Sequence, residues 1–375
     1  MQLINIKLSV VTTLAIIASN ALHAENYVAV EFLQYDENDN RVSVSAPTLS
    51  ASYDIGTDYT VKADFVHDAV SGATPVWQSD TASGASKRDD SGDYVYKNQE
   101  FKEARNAGSI MLTTRFANRD ELYTGIDVSR ESDFDSKSLS AEYMHYTDKS
   151  HNQSINIGAS FAYNEILAYD YDTGSGASNK ETATSINIQG GMTQVLNDHA
   201  SAKADAFVII DDGYLTNPHA TVVRNYGTAE QMLVTENRPD KRTAYGVNLK
   251  YITMLGEDLS YQANYRFYTD DWDINSHTID NDLLYAMNDD LTFGLGLRYY
   301  TQTEASFYNA NKDFFNDEEF ASSDVRLSSF DALTYKASVD YKINDDISYN
   351  LGAEFYSQST GLDASMITTG LKYKF

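Results

Sequence analysis

Apolar and polar residues alternate with a period of two along much of the chain. In segments of about ten residues that begin at Leu259, Leu291, Leu333 and Ile347, every second residue is apolar and those between are polar or small. An α-helix, with its period of about 3.6 residues, would scatter such residues around its circumference. The pattern therefore predicts β-strands with one apolar face and one polar face. In the first segment the apolar face comprises Leu259, Tyr261, Ala263, Tyr265 and Phe267.

Two features distinguish a membrane barrel from a soluble β-sandwich, whose strands also alternate. The apolar faces of these segments contain no charged residue, and a length of about ten residues suits strands that cross a bilayer at a tilt. The polar faces mix charged residues with Gly and Ser, as expected for an interior in contact with water. We therefore predict an all-β fold, a single antiparallel transmembrane β-barrel of outer-membrane type.

Weaker copies of the alternation bring the total to about sixteen strands, an even number that leaves both chain ends in the periplasm. The connections alternate between tight polar turns and segments that include long ones, near 71–106, 169–180, 212–240 and 304–328. Short periplasmic turns and longer outer loops are typical of such barrels. The predicted strands lie near 26–36, 41–54, 58–70, 107–117, 120–131, 136–147, 152–168, 181–196, 199–211, 241–254, 258–271, 275–287, 290–303, 329–343, 346–358 and 362–375.

The first residues have the layout of a secretory signal peptide. Lys7 precedes an apolar stretch from Leu8 to Leu22, and the segment closes with small residues up to Ala24. We expect residues 1–24 to be the signal peptide and residues 25–375 to form the barrel domain. The alternative is a membrane-anchoring helix, which requires about 20 clearly apolar residues.

The other end of the chain carries alternating aromatic residues, with Tyr373 two positions before Phe375. This ending resembles the signal recognised by the barrel-assembly machinery of the outer membrane. The resemblance implies that this machinery and periplasmic chaperones are partners during biogenesis. Outer-membrane lipid and lipopolysaccharide are then the expected surroundings of the barrel.

Charge and composition narrow the functional classes. The chain has 55 Asp and Glu against 28 Lys and Arg, a net charge of -27, and so acidic a surface repels nucleic acid. Cysteine is absent, which excludes disulfides and thiolate metal sites. Acidic loop residues offer oxygen ligands for calcium, but none has the spacing of an EF-hand loop, so we predict neither a metal site nor a cofactor. The calcium candidates are Asp170, Asp172, Asp313 and Asp317.

Several short motifs are distributed over the chain. A run from Asp68 to Pro75 reads D-A-V-S-G-A-T-P. With the other signature positions it resembles a widespread family of bacterial outer-membrane proteins, defined by a domain of unknown function, in which D-x-V-S-G-A-[ST]-P is the most specific element. The resemblance implies a barrel fold and an outer-membrane location, and it assigns no substrate. The signature positions are Tyr35, Glu37, Arg41, Asp68, Ser71, Gly72, Ala73, Pro75 and Trp272.

We expect the signature residues to lie where strands leave the membrane on the outer side. Asp68 would end the third strand, Gly72 and Pro75 would form a tight bend, and Trp77 and Trp272 would be anchors at the membrane interface. Polar residues of the lumen and its mouth either brace the barrel through ion pairs or form a binding and selectivity ring. The candidates are Asp68, Arg115, Arg266, Asp270, Asp271, His277, Arg298, Tyr300, Lys336, Asp340 and Glu354.

Recognised catalytic motifs do not occur in the sequence. It contains neither the H-E-x-x-H spacing of zinc hydrolases nor the G-x-S-x-G nucleophile elbow, so we predict that the protein is not an enzyme. A Ser-His-acid hydrolase on the barrel wall is kept as a lesser hypothesis. His145 is its candidate, because strand parity places it on or near the lipid-facing side.

A barrel of about sixteen strands is wide enough for an aqueous channel. We therefore predict a porin-like channel for small hydrophilic solutes. The alternative is a closed barrel that acts as a structural or binding platform through its extracellular loops or a periplasmic partner. An open lumen favours the channel, and an interior packed with Tyr and Arg side chains favours the platform.

Overall fold

A computed structural model describes residues 26–78, 95–169, 178–225, 228–309 and 318–375. The predicted signal peptide of residues 1–24 and the calcium candidates Asp170, Asp172, Asp313 and Asp317 lie outside these ranges. Within these ranges, no helix has the length and apolar character needed to cross a membrane. The strands are β1 (Tyr27–Glu37), β2 (Val42–Ile55), β3 (Tyr59–Gln78), β4 (Val95–Arg115), β5 (Glu121–Arg130), β6 (Phe134–Tyr146), β7 (Gln153–Tyr169), β8 (Ser178–Asn197), β9 (Ala200–Gly213), β10 (Thr221–Arg224), β11 (Met232–Thr235), β12 (Lys241–Met254), β13 (Leu259–Asp270), β14 (Asn275–Asn288), β15 (Leu291–Gln302), β16 (Phe330–Lys342), β17 (Ile347–Gln358) and β18 (Asp363–Lys374).

Sixteen of these strands form one closed antiparallel barrel. Strands adjacent in the chain pair with each other, β9 pairs with β12, and β1 pairs with β18 to close the wall. At this closure Tyr27 lies opposite Lys374, and the register runs on to Glu37 opposite Ala364. Closure leaves no edge strand with unpaired backbone groups. The predicted fold class and the predicted number of strands are confirmed.

The third and fourth strands extend further than the sequence predicted. Asp68 does not end β3, and Gly72 and Pro75 do not form a bend, because β3 continues to Gln78 and pairs with β4 throughout. Beyond Gly72, β3 no longer has β2 beside it. A proline on such a free edge removes no ladder hydrogen bond, so the extended conformation is tolerated. These parts of β3 and β4 form a two-stranded ribbon above the barrel.

The barrel wall has an apolar outer surface. Along the strands, exposed apolar side chains alternate with polar or half-buried ones, and Ile157 and Leu295 are exposed by 64% and 65%. So large an apolar surface is not stable in water, but it suits a wall in contact with lipid. Residues two apart in a strand share a face, so the polar set between them faces the lumen. Examples of the outer set are Val30, Phe65, Ile110, Ile126, Leu139, Ile188, Leu249, Leu283, Phe293, Tyr335, Leu351 and Ile367.

The inner surface is apolar near the outer ends of β1 to β3. Leu33, Val42, Val44, Ala46 and Val70 form a buried cluster there, against which Tyr35, Val66 and Met366 pack. These residues have the same strand parity as the charged inward residues nearer the periplasmic end, such as Glu31 and Asp64. The lumen therefore changes from charged to apolar along this part of the wall.

Candidate functional site: a charged lumen beneath a folded cap

Charged side chains of β14 to β16 form a network on the inner wall. Lys336 Nζ lies 3.0 Å from a carboxylate oxygen of Asp280 and 3.7 Å from one of Asp282. Arg298 Nε lies 3.9 Å from Asp280, its direct neighbour across the strand pair. The Arg298 side chain is 38% exposed, so water reaches the network. The candidates Arg298 and Lys336 thus lie together on the lumen wall.

Some inward charges, such as Lys203 with Asp205 at 3.1 Å, form ion pairs of their own. Among the described residues, Arg266 and Asp127 have no oppositely charged group within 4.0 Å. Arg266 is exposed, and its guanidinium carbon lies 4.9 Å from the centre of the Phe207 ring. Asp127 is exposed and accepts a hydrogen bond from Ser138 Oγ at 2.9 Å. The candidates Asp340 and Glu354 are inward residues of β16 and β17, and Glu354 lies opposite Lys336. Charges that remain uncompensated in water are available to act on passing ions.

Two further candidates have local partners inside the barrel. Arg115 Nε lies 3.4 Å from Glu121 at the periplasmic ends of β4 and β5. Tyr300 Oη donates a hydrogen bond to Gln302 Oε1 at 2.7 Å near the outer end of β15. The lumen candidates are therefore distributed over its whole height and do not converge on one small site.

Three aspartates at the outer side brace the barrel instead of lining an open ring. Asp68 is 3% exposed and pairs with Arg105 Nε at 2.5 Å, which joins β3 to β4. Asp270 accepts hydrogen bonds from Arg242 Nε at 2.9 Å and from the backbone of the turn that follows, at Trp272 N and Ile274 N. Asp271 Oδ1 accepts a hydrogen bond from the backbone N–H of Thr243 at 3.0 Å.

His277 and Trp272 are not where the sequence analysis placed them. His277 has the same parity as the lipid-facing Ile279, and its Nδ1 lies 2.8 Å from Tyr265 Oη on the outer wall. Trp272 is 4% exposed, and its Nε1–H donates to the backbone oxygen of Lys241 at 3.0 Å, so it is no membrane-interface anchor. Tryptophan needs a partner for its N–H when it is buried, and the bend after β13 supplies one.

The signature residues at the first outer turn lie close together. Tyr35 Oη donates to Glu37 Oε1 at 3.0 Å, and Glu37 lies 3.8 Å from Arg41 Nε across the turn that joins β1 to β2. Glu37 is 8% exposed. Ser71 is exposed on β3. These contacts stabilise the rim and leave no open polar ring among the described signature positions.

Two long connections fold together into one unit, here called the cap: residues 214–225 and 228–240 before β12, and residues 303–309 and 318–329 before β16. Arg238 joins the two connections, because its Nε lies 2.5 Å from Glu236 and its Nη2 lies 2.8 Å from Asp324. Val222, Ala321 and Ser322 are exposed by 1% or less. The cap therefore has a core of its own.

The cap is attached to the barrel at separated points of the rim. Phe307 packs edge-to-face on Trp272, with ring centres 5.1 Å apart. His219 Nε2 lies 2.5 Å from Asp133 in the turn between β5 and β6. Strand β10 lies against β3, and in the barrel order β3 is six strands from β9, where this connection starts. The cap thus reaches across the outer mouth of the lumen.

The cap was not predicted, although the sequence contains one local signal for it. Thr221–Arg224 and Met232–Thr235 are short apolar runs on either side of a segment that contains Asn225 and Gly227. Such runs around an Asn- and Gly-containing segment predict a β-hairpin. The pairing of Arg238 with Asp324, 86 residues away, has no local signal.

The cap is expected to loosen in acid. Burial alone would raise the pKa of Asp133, but the hydrogen bond and the charge of His219 lower it below the ordinary value. Burial opposes ionisation of Asp324 as well, and the Arg326 and Arg238 guanidinium groups nevertheless lower its pKa. A carboxyl whose pKa is lowered by folding stabilises the folded form above its ordinary pKa of about 4, and this stabilisation is lost as the pH falls through the lowered value.

We therefore expect hydrogen exchange in the peptide of residues 228–240 to stay slow from pH 8 to pH 5 and to accelerate below about pH 4, relative to an unstructured peptide. Peptides from β17 are the internal control. Loss of protection between pH 7 and pH 5 would contradict these carboxylates as the titrating groups.

His145 has an acidic partner but no nucleophile. Its Nδ1 lies 2.9 Å from Asp120, which also accepts a hydrogen bond from Tyr143 Oη at 2.5 Å. The hydrogen bonds from Tyr143 and His145 hold the pKa of the Asp120 carboxyl well below its usual range. Among the described residues, no serine or threonine hydroxyl is hydrogen-bonded to His145. The geometry gives no support to a Ser-His-acid hydrolase here.

Comparisons with solved structures return outer-membrane proteins. A mutant ferric enterobactin receptor (PfeA) of Pseudomonas aeruginosa is 8% identical, with a TM-score of 0.46 over 90% of this chain and 54% of that chain. The siderophore receptor PirA of Acinetobacter baumannii is 10% identical, with a TM-score of 0.44 over 90% and 53%. OpdK of Pseudomonas aeruginosa, solved with vanillate, is 10% identical, with a TM-score of 0.41 over 94% and 98%.

This chain spans about half the length of the two receptor chains. No curated protein matches it. The model of one family, described as "Protein of unknown function (DUF3570)", matches residues 7–371. The chain therefore belongs to the DUF3570 family.

Proposed function

We propose that this protein is an outer-membrane channel for small hydrophilic solutes and that its cap controls access from outside. The observation that carries the proposal is a lumen wall with exposed and uncompensated charges, among them Arg266 and Asp127, beneath a separately folded cap. A barrel of sixteen strands is wide enough for a water-filled passage. In a sealed interior such charges would remain desolvated and unpaired, which is strongly unfavourable.

The apolar outer wall supports the outer-membrane location. In that setting residues 1–24 act as the signal peptide, with cleavage near Ala24, and residues 25–375 form the mature barrel domain. The barrel-assembly machinery, through Tyr373 and Phe375, and periplasmic chaperones are the proposed partners in biogenesis. Lipid and lipopolysaccharide are the proposed surroundings of the wall.

Single-channel recording in a planar bilayer, with a salt gradient, tests the proposal. We expect brief ohmic openings of the wild-type protein and longer ones when the cap is loosened by substitution of Arg238. If neither the wild-type protein nor the Arg238 variant conducts, after heat-modifiable gel mobility has verified that both are folded, the channel proposal would be overturned.

Charge reversal at Arg266 is expected to change ion selectivity. Arg266→Glu places a carboxylate where an uncompensated cation faced the lumen. A unit charge about 4 Å from a permeating ion in water is worth about 1 kcal/mol. The reversal changes the charge by two units, which corresponds to roughly a thirtyfold change in relative permeability. The reversal potential should therefore shift toward cations. Arg119→Glu makes the same charge change in an exposed periplasmic turn and should shift it much less. Equal shifts of the reversal potential in the two variants would show that ion selectivity is not set at Arg266 in the lumen.

A closed binding platform is the second candidate, and the cap favours it. The cap has a buried core and is attached to the rim at Trp272, Asp133 and β3, as a preformed binding surface would be. If neither the wild-type protein nor the variants with a loosened cap conduct, the platform becomes the better proposal. Binding partners of residues 214–240 are then to be sought at the cell surface.

A further inference from the structure

A groove lies on the lipid-facing wall between β6 and β13. Its volume is about 880 Å³, and nearly all of its lining is apolar. Six of its lining residues lie directly opposite one another on six successive strands. The row runs Tyr143, Ile157, Gly190, Ala206, Val247 and Phe267.

The floor of the groove is formed by small residues. Gly190 lies opposite Ala206, while the larger Ile188, Val208 and Tyr245 line one side. A Cβ atom added to Gly190 would meet only the backbone oxygen of Asn156, at an ordinary contact distance of 3.5 Å. Packing within the wall therefore does not require a glycine here, and the depression is free for an external group.

The periplasmic part of the groove fits one leaflet of a bilayer. Tyr143 lies three residues from the periplasmic end of β6, and Ala206 lies at the middle of β9. The three gaps between these neighbouring strands, each about 4.8 Å, give a length of about 14 Å. Because barrel strands tilt by about 45°, this part of the row rises by about 10 Å, which is within half of a hydrocarbon core of about 30 Å. Beyond Ala206 the row continues toward the outer side and ends three residues from the outer end of β13, at Phe267.

The periplasmic end of the groove is polar. His145 lines the groove there, and its Nδ1 is held by Asp120, which is 1% exposed and also accepts hydrogen bonds from Tyr143 Oη and the backbone N–H of Tyr146. This arrangement leaves His145 Nε2 as the accessible ring nitrogen. Arg119 and Lys149 are exposed in the turns on either side of β5 and β6. Cationic side chains in the two turns next to Asp120 and the end of β6 are complementary to the phosphate of a lipid headgroup.

We propose that this groove is a binding site for a glycerophospholipid of the periplasmic leaflet, with one acyl chain over Gly190 and Ala206 and the phosphate at His145, Arg119 and Lys149. The site requires the outer-membrane location proposed above but not channel activity. A protein that conducts and binds no lipid, or binds lipid and does not conduct, would therefore separate the two proposals.

Native mass spectrometry of the full-length protein in mild detergent, titrated with dioleoyl phosphatidylglycerol, tests the site. Gly190→Leu with Ala206→Leu fills the floor and should weaken retention of one lipid per chain by about tenfold, the equivalent of about 1.4 kcal/mol. Ala337→Leu with Ala353→Leu is the matched control, because these two alanines also lie opposite each other on the exposed outer face. The control should bind like the wild type. Equal retention by the filled variant, or an adduct with the mass of a second chain in place of a lipid, would overturn the proposal.

The headgroup assignment has its own test in the same assay. His145→Leu should weaken binding of dioleoyl phosphatidylglycerol several-fold and leave binding of dioleoylglycerol, which has no phosphate, unchanged. A wild-type protein that binds both lipids equally would overturn the assignment of the phosphate to this end of the groove. Because His145 lies at the end of a strand, its replacement tests the site even if the doubly filled variant does not fold.

Discussion

Arg238→Ala is expected to loosen the cap and to leave the barrel folded. The Arg238 side chain is 10% exposed and lies between Glu236 and Asp324, whose side chains are 0% and 6% exposed. Removing one partner of a buried ion pair costs about 3–5 kcal/mol, because a buried charge is left without compensation. Here that charge is Glu236, since Asp324 keeps its pairing with Arg326. This corresponds to a shift of roughly two to four orders of magnitude toward the open cap.

Limited proteolysis measures the opening of the cap, and bilayer recording measures its effect on conduction. Cleavage within residues 214–240 should accelerate strongly, and the fraction of time spent conducting should rise. The strand ladders do not include Arg238, so heat-modifiable gel mobility should stay that of a folded barrel. Lys241→Ala is the matched control: Lys241 lies 3.3 Å from Asp212, both side chains are exposed, and such surface pairs contribute about 1 kcal/mol or less. Unchanged cleavage of the Arg238 variant would contradict this prediction and would show that the other contacts between the two connections, such as the paired backbones of Asn237 and Ala321, hold the cap without the ion pair.

Leu295→Arg is expected to destabilise the barrel in a bilayer by about 2–4 kcal/mol, since it places a charge on the lipid-facing wall far from both interfaces. Leu295 is 65% exposed, and its neighbours across the sheet are Leu283 and Ala337 on the same outer face. In water an exposed leucine would tolerate arginine with little change in stability. The size of the effect therefore tests whether this wall contacts lipid.

The measurement is reversible unfolding by guanidinium in lipid vesicles, followed by tryptophan fluorescence. Ser140→Arg is the control, because Ser140 is exposed on the inner face, between Gly125 and Ser160. It should change the free energy of unfolding by about 0.5 kcal/mol or less. Similar losses for both variants would contradict the assignment of the two faces.

Much of the barrel can be predicted from the local sequence pattern. Because strand side chains alternate strictly, the apolar set around Leu295 and the polar set around Arg298 can be assigned to opposite faces without knowing which strands pair. The even number of segments and the tight turns between them then lead to a closed antiparallel wall. The inward placement of Arg266, Arg298 and Lys336 follows from the same rule.

The predictions were wrong where they rested on the usual preference of a residue type and not on the strand pairing around it. Gly72 and Pro75 are turn formers in isolation, but β4 continues beside β3 and supplies partners that keep the chain extended. His277 was counted among the polar residues of the lumen and its mouth, whereas strand alternation puts it beside Tyr265 on the outer wall. Trp272 was expected at the membrane interface, as tryptophans of membrane proteins often are, but Phe307 of the cap covers it.

The sequence by itself determined the fold class, the number of barrel strands and the face on which the charged residues of those strands lie, because these depend on a period of two residues. Only the tertiary structure decided that the cap, residues 214–225, 228–240, 303–309 and 318–329, folds over the mouth, since Arg238 and Asp324 are 86 positions apart and no periodicity relates them. The groove at Gly190 and Ala206 likewise exists only through the register of six strands, because no single strand contains more than a small part of it.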